Sequence, residues 1–152
     1  WGNVWSDVSG DGFQQARALC YSASGGLFGV GCGLGWLHDV VAGTSDLMFG
    51  TVCEEMGLLV AIVIALSIAG LAMYSQSVSS RSRSTFYSIS ACAAAAILIF
   101  QASLHIFGSM DILPFTGVTL PFISMGGSSM VANWGLLAFI KASDEKTYAL
   151  RR

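Results

Sequence analysis

The chain has 152 residues, of which 54% are hydrophobic and only 11% are charged, with a net charge of −2. A soluble domain carries about 25% charged residues, so this composition argues against one and favours a membrane protein. The weakly acidic charge balance, without a basic patch, gives no reason to expect a nucleic-acid partner. The four cysteines lack metal-ligand spacing and are expected to be unpaired thiols.

Residues 1–45 are polar and glycine-rich and are expected to form a long loop. Within this loop the segment DGFQQARALCYSAS places Phe13, Ala16 and Leu19 at helical spacing, which predicts a short amphipathic helix. The next segment, GGLFGVGCGLG, matches neither of the glycine fingerprints that bind nucleotides. Its six glycines instead predict a tight, irregular loop whose backbone needs positive φ.

Three apolar stretches predict membrane-spanning helices, which we expect at residues 46–75, 86–108 and 122–141. The first stretch contains an uncharged run over residues 56–74, equivalent to about 28 Å of helix. That length is close to the thickness of the hydrocarbon core of a bilayer. The sequence therefore predicts an all-α membrane protein.

The third predicted span is difficult to place from the sequence alone. Only thirteen residues separate Gly127 from Lys141, which is about 20 Å of helix and too short to cross a bilayer. The span must therefore begin near Pro121 or Phe122, or it must include buried backbone that is not helical.

The positive charges are distributed unevenly about the three predicted spans. Six of the seven Lys and Arg residues lie between the first two spans or at and after the end of the third. The positive-inside rule makes those two segments, residues 76–85 and 142–152, cytoplasmic. Residues 1–45 and 109–121 are then expected on the outer side of the membrane.

Three carboxylates lie at the start of the first predicted span. Asp46 has a plain structural role open to it as a helix N-cap, worth about 1 kcal/mol. Glu54 and Glu55 lie two turns further along the expected helix, too deep for a capping role. Carboxylates at that depth usually face a polar cavity or pair with a partner. A structural ion pair with a cation elsewhere in the protein is the alternative for either glutamate.

The segment DILPFTGVTLPFISMGGSSM contains both prolines of the chain, Pro114 and Pro121, followed by two glycines. An interior proline costs a helix about 3 kcal/mol, so this segment cannot be one regular helix. Irregular backbone at membrane depth is tolerated only where protein buries it or water fills a cavity. We expect a cavity wall on the outer side, or alternatively a kinked helix end that holds no ligand.

Two polar side chains are expected on one face of the second span. Gln101 and His105 are four residues apart, so they are neighbours on a helix surface. Polar side chains inside membrane proteins commonly hydrogen-bond across helix interfaces. We therefore expect a structural role for both residues.

Three segments resemble the C-terminal third of the SEDS family: FGVGCGLG, TSDLMFGTVCEEMGLL and LPFTGVTLPFISMGGSS. Members of that family, FtsW, RodA and SpoVE, are polytopic membrane glycosyltransferases that polymerise lipid II into peptidoglycan strands. The resemblance runs nearly from end to end of the chain. It implies three transmembrane helices of a larger helical bundle of about ten spans in the bacterial cytoplasmic membrane. We thus expect the C-terminal part of a longer, multi-pass protein, inactive as a fragment.

The resemblance also implies site residues. The family's essential external aspartate falls on Asp46, in the segment TSDLMF, which gives this residue the catalytic role. The resemblance also matches Gln14, Glu54 and Glu55 to positions in the family's motifs. Together with the cation Arg17 and the residues of the expected cavity wall, they are the predicted substrate-binding or cavity residues: Gln14, Arg17, Glu54, Glu55, Pro121, Ser124, Gly126, Gly127 and Ser128.

The implied reaction transfers a growing glycan from its undecaprenyl pyrophosphate carrier to a lipid II acceptor. Asp46 would act as general base on the attacking sugar hydroxyl. The departing pyrophosphate needs positive charge, which Arg17, His38 or a divalent cation such as Mg²⁺ or Mn²⁺ would supply. The expected partners are a class B penicillin-binding protein and other proteins of the divisome or elongasome.

Two other function classes stay open at this point. Buried carboxylates and a span broken by Pro and Gly also fit a flippase or transporter of the lipid-linked precursor. A non-catalytic scaffold for a transpeptidase is the other alternative. The sequence also leaves open whether the protein acts in division, elongation or sporulation.

Overall fold

The computed structural model describes residues 13–37, 45–81, 84–114 and 116–149, except for the side chains of Gln14, Arg81 and residues 145–149. This part of the chain is helical and contains no strand. The helices are α1 (Phe13–Ser24), α2 (Met48–Glu55), α3 (Gly57–Arg81), α4 (Thr85–Ser109) and α5 (Gly127–Ala149). The all-helical fold class expected from the sequence is confirmed for these residues.

Helix α1 occupies the position of the predicted amphipathic helix, and its buried side agrees with the expected one only in part. Ala16 and Ala18 are buried, whereas Phe13 is 44% exposed. Ala18 packs in a small cluster with Leu37 and Leu47, which precedes α2. Small alanine side chains let α1 approach this pair closely, and that contact decides which face is buried.

The predicted helix over residues 46–75 is in fact two helices. Helix α2 ends at Glu55 and α3 begins at Gly57, whose φ of +85° interrupts the helical backbone. The glycine-rich loop that follows α1 lies against this break and bonds to both helix ends. Four backbone hydrogen bonds make the contact: Val30 N–H to Glu54 O (2.9 Å), Gly31 N–H to Glu55 O (3.0 Å), Leu58 N–H to Gly26 O (3.0 Å) and Leu59 N–H to Leu27 O (3.4 Å).

These bonds supply partners that a broken helix lacks. The last carbonyls of a helix and the first N–H groups of the next have no partners within their own helices. Here the loop donates to the carbonyl end of α2 and accepts from the amino end of α3. The loop must come very close to do so, and a Cβ at Gly29, whose φ is +80°, would overlap the backbone of Glu55. The positive φ expected of this loop is therefore needed for helix capping.

Two helices of the described chain are long and apolar enough to cross a membrane: Gly57–Ser80 and Thr85–Ser109. The first continues past the predicted end, so most of the expected loop at residues 76–85 is helical. Its serines are compatible with a helix because their hydroxyls have partners close by. Ser75 Oγ donates to Ala91 O at 2.8 Å, and the Oγ atoms of Ser79 and Ser88 lie 2.8 Å apart.

Helix α5 begins at Gly127, five residues later than the span predicted at 122–141. It is not one of the two span candidates within the described residues. The preceding backbone is not helical, and Leu120, Pro121 and Ser124 are buried there. Of the two arrangements open from the sequence, the structure has buried non-helical backbone before the helix. Helix α5 also continues to Ala149, so the first part of the predicted tail at residues 142–152 is helical.

Two apolar clusters join the helices. One contains Phe49 and Val52 of α2, Ala61 of α3 and Leu120 of the non-helical segment. The other contains Ala94, Ala95 and Leu98 of α4 with Ile140 of α5. The first cluster holds α2 and the non-helical segment together, and this brings Asp46 close to residues 117–124.

Candidate functional site

Asp46 lies just before α2, with its side chain half-buried. The N-cap position of α2 is Leu47, one residue later, and no side chain of that residue caps the helix. The N–H of Phe49, in the first turn, instead donates to Nε2 of His105 from α4 at 3.2 Å. The capping role that the sequence left open for Asp46 is thus filled at this N–H group by another residue.

His105 is 3% exposed and uses both ring nitrogens. Its Nδ1 lies 2.6 Å from the carbonyl oxygen of Val118, while Nε2 faces the N–H of Phe49. A carbonyl oxygen only accepts and a backbone N–H only donates, so these partners specify a neutral imidazole with its proton on Nδ1. The structural role expected for His105 is therefore visible, and it links α4 to two elements beside Asp46.

The non-helical segment at residues 117–124 forms a wall beside Asp46. A Cβ built at Gly117 would lie 3.6 Å from Oδ2 of Asp46. Ser124 Oγ donates to the carbonyl oxygen of Ser45 at 2.7 Å and accepts from the N–H of Leu120 at 2.9 Å. The structure therefore brings together Asp46 and Ser124, two of the residues that the sequence proposed for one site.

The other predicted residues of this segment lie further along it. Pro121 is fully buried. The carbonyl of Gly126 accepts from the N–H of Met130 at 2.9 Å, and Gly127 and Ser128 form the exposed first turn of α5. The described contacts of Gly126, Gly127 and Ser128 belong to the start of α5, and none of these contacts joins the three residues to Asp46.

Glu54 is bonded to the glycine-rich loop. It lies in the last turn of α2, beneath the loop, and is 1% exposed. Its Oε1 accepts from the N–H of Trp36 and its Oε2 from the N–H of Leu37, both at 2.9 Å. The described hydrogen-bond partners of this buried carboxylate are thus two backbone N–H groups of the loop, and its place in a substrate cavity stays a prediction. Glu55 is half-buried beside it, and its carbonyl accepts from the loop.

Arg17 lies on the exposed side of α1. Its guanidinium carbon is 4.7 Å from the centre of the Phe13 ring and 5.9 Å from that of Tyr21. Aromatic rings at such distances attract a cation without neutralising it. The side chain of Gln14 and the whole of His38 lie outside the described residues.

The sequence analysis missed a contact between α1 and the end of α4. Gln15 Nε2 donates to Oδ1 of Asp111 at 2.9 Å. Asp111 has a φ of +59°, an uncommon conformation for a residue other than glycine. Its position three residues after the predicted span at 86–108 could have indicated a turn. In the described part of the chain, no group of three or more His, Cys, Asp or Glu side chains is arranged to hold a metal ion.

Comparison with known proteins agrees with the resemblance seen in the motifs. A family model named for FtsW, RodA and SpoVE and described as "Cell cycle protein" matches residues 1–148. The chain is 32% identical over 142 residues to the peptidoglycan glycosyltransferase RodA of Mycobacterium tuberculosis. The aligned region covers 92% of this chain and 30% of that protein.

Two relatives from other bacteria carry the name probable peptidoglycan glycosyltransferase FtsW. The protein of Buchnera aphidicola subsp. Acyrthosiphon pisum is 33% identical over 153 residues, covering 95% of this chain and 38% of the relative. The protein of Borreliella burgdorferi is 34% identical over 143 residues, and the aligned region covers 91% of this chain and 38% of the relative. The chain thus spans about a third of the length of the curated relatives it matches. Because the family model extends over nearly all of its residues, the chain belongs to the FtsW/RodA/SpoVE family.

Proposed function

We propose that the full-length protein is a peptidoglycan glycosyltransferase that polymerises lipid II, with Asp46 as its general base. The observation behind this proposal is that Asp46 is a half-buried carboxylate beside a wall that is itself fixed. Ser124 bonds to the carbonyl of Ser45, and His105 takes the N–H of Phe49 that Asp46 would otherwise have been expected to cap. The names of the relatives support this class of reaction.

The proposed chemistry is a displacement at the anomeric carbon of the growing glycan. The acceptor hydroxyl of lipid II gives its proton to the carboxylate of Asp46, and its oxygen forms the new bond to the anomeric carbon. The bond from that carbon to the pyrophosphate of the carrier breaks, and the electron pair leaves with the pyrophosphate. A positioned general base contributes about 10²–10⁴-fold to the rate of such a step.

The departing pyrophosphate requires positive charge, for which we propose Arg17, a cation on the exposed side of α1. A divalent cation, Mg²⁺ or Mn²⁺, stays a prediction, since the described residues do not form a metal site. We assign it no step in the reaction. Treatment of the purified enzyme with EDTA tests it: polymerisation that continues unchanged contradicts the metal requirement.

The decisive experiment for the function uses purified full-length protein in detergent, with lipid II and no ion gradient. We expect glycan polymers to form, because general-base chemistry at Asp46 needs no gradient. If the protein forms no polymer but moves lipid II across the bilayer of proteoliposomes, it is a transporter. If it does neither, yet raises the activity of a transpeptidase that binds it, the scaffold reading is correct.

We further propose that the chain contributes three spans to a bundle of about ten in the bacterial cytoplasmic membrane. Two described helices support this, and α5 with the buried segment before it is the third candidate. The distribution of Lys and Arg supports cytoplasmic positions for the end of α3 and the end of α5. Asp46 and residues 116–120 then lie on the outer side.

The proposed sidedness predicts opposite labelling of two single cysteines. Ser80→Cys, in the last turn of α3, and Thr116→Cys, in the segment after α4, place thiols at exposed positions in a full-length chain whose native cysteines have been replaced. An impermeant maleimide should label Thr116→Cys in intact cells and Ser80→Cys only after the membrane is opened. Labelling of both from the same side would contradict the three-span arrangement.

For the partner, we propose that the single span of a class B penicillin-binding protein contacts the exposed side of α4. Ala91, Ala94 and Ala95 are buried within the described helices, which leaves Ala93 and Ala96 on the outward side. Small residues permit close approach of another helix. A photo-crosslinker at position 93 of the full-length protein tests this contact, and exclusively intramolecular crosslinks would contradict it. Other proteins of the divisome or elongasome are expected partners of the whole complex.

A further inference from the structure

Two side chains of α4 hold the wall beside Asp46. Gln101 Nε2 donates to the carbonyl of Thr119 at 3.1 Å, and His105 Nδ1 donates to the carbonyl of Val118 at 2.6 Å. The two acceptors are consecutive in sequence and belong to backbone that has no regular secondary structure. A carbonyl in such backbone has no helical or sheet partner, so the position of this segment depends on donors from its surroundings.

His105 also has a second contact, which Gln101 does not share. Its Nε2 accepts the N–H of Phe49 and so joins the first turn of α2 to the same imidazole. Phe49 follows Asp46 by three residues, and Val118 follows Gly117, whose Cβ position lies 3.6 Å from Oδ2 of Asp46. One buried ring therefore sets the distance between the backbone that carries Asp46 and the wall that faces it.

We propose that His105 is a positioning residue, which holds Asp46 at a fixed distance from the segment at residues 117–120. This inference rests on the proposed role of Asp46 as the base. A general base must be within hydrogen-bond distance of the proton it removes. A displacement of about 1 Å can cost about 10²-fold in rate. Because His105 is buried and bonded at both nitrogens, its ring resists such a displacement.

The shorter of the two bonds, to Val118, is the more important one in this proposal. The N–H of Phe49 lies at a helix N-terminus, where N–H groups are commonly satisfied by water as well as by caps. The carbonyl of Val118 lies in irregular backbone beside Asp46. An asparagine at position 105 places an amide N–H close to where Nδ1 lies, whereas a glutamine reaches the region of Nε2. Each amide can therefore replace one of the two hydrogen bonds of the ring: Asn the bond to Val118, and Gln the bond to Phe49.

The test compares kcat and KM for lipid II in purified full-length variants. His105→Leu removes both bonds, and we expect kcat to fall about 10–10²-fold, because Asp46 loses its alignment. KM should change less than about 3-fold, because a loss confined to the transition state leaves ground-state binding in place. His105→Asn should recover much of kcat, and His105→Gln should recover less.

Ser75→Ala is the matched control for a lost buried hydrogen bond. Ser75 is fully buried and donates from α3 to the backbone of α4, toward the opposite end of α3 from Asp46. Its loss should lower thermal stability without changing kcat. A fall in kcat for Ser75→Ala as large as that for His105→Leu would overturn the positioning role, because any loosening of the helices would then suffice.

The remaining outcomes are separable from those of the proposed function. If Asp46→Asn is inactive while His105→Leu keeps the wild-type kcat, positioning by His105 is wrong and the function stands. If the wild-type protein forms no polymer, the proposed function itself fails. Should His105→Leu not fold, the amide pair decides: equal kcat values for His105→Asn and His105→Gln would overturn the inference, and a higher value for Asn would support it.

Discussion

Asp46→Asn is expected to abolish polymerisation of lipid II by the full-length protein while the protein still folds and accumulates. The amide has nearly the shape of the carboxylate but cannot accept the proton of the sugar hydroxyl. Removal of a general base typically lowers the rate by about 10²–10⁴-fold. Little loss of stability is expected, since α2 takes its cap at Phe49 from His105. The initial rate of polymer formation and the thermal unfolding temperature of the purified protein measure the two effects.

Asp144→Asn is the matched control for this change of charge. Asp144 lies near the C-terminal end of α5, where its Oδ2 accepts from the hydroxyl of Tyr74 at 2.7 Å. The same chemical substitution at that end of the bundle should leave the rate of polymerisation unchanged. A near-wild-type rate for Asp46→Asn would show that this carboxylate is not the base.

Gly29→Ala is expected to lower the stability of the protein strongly. Gly29 has a φ of +80°, and a Cβ there would lie 2.7 Å from the backbone nitrogen of Gly57 and even closer to the backbone of Glu55. Backbone atoms cannot rotate away, so the loop would have to move off the break between α2 and α3. Overpacking typically costs about 1–3 kcal/mol. The left-handed backbone adds about 1–2 kcal/mol for a residue with a Cβ.

Gly33→Ala separates these two costs. Gly33 belongs to the same loop and has a φ of +78°, yet no atom of the described residues lies within 4 Å of its Cβ position. This variant therefore bears the backbone strain without the overlap. Thermal unfolding of the two purified full-length variants should show a clearly lower midpoint for Gly29→Ala. Equal midpoints would contradict the view that close contact with the helix break requires glycine at position 29.

Those features of the fold that depend on local composition could be predicted from the sequence. Long uncharged runs predict α3 and α4, because apolar residues of that number can cross a bilayer whatever their neighbours are. Proline at position 121 predicts the absence of regular helix there, because its ring removes a backbone donor. The clustered glycines likewise predict the left-handed backbone of the loop, which Gly29 and Gly33 adopt.

The break at Gly57 depended on contacts over a long distance in sequence. Residues 46–75 have the composition of one continuous helix, and a single glycine is tolerated in such a helix. The loop ends the helix there because its N–H and carbonyl groups satisfy both sides of the break. The same loop brings the N–H groups of Trp36 and Leu37 to Glu54, which no spacing along the chain could indicate.

In the candidate site, too, some features follow from local sequence and others from contacts between distant residues. Local sequence is enough to place a carboxylate, Asp46, at the beginning of a helix, where capping is the ordinary local role. Packing of the helices is what brings His105, 56 positions from Phe49 along the chain, to accept from the helix N–H instead. The N–H groups at a helix N-terminus can donate to any acceptor that packing brings within reach. Because α4 packs against α2 and the segment at residues 117–124, Asp46 is not needed to cap the N–H of Phe49.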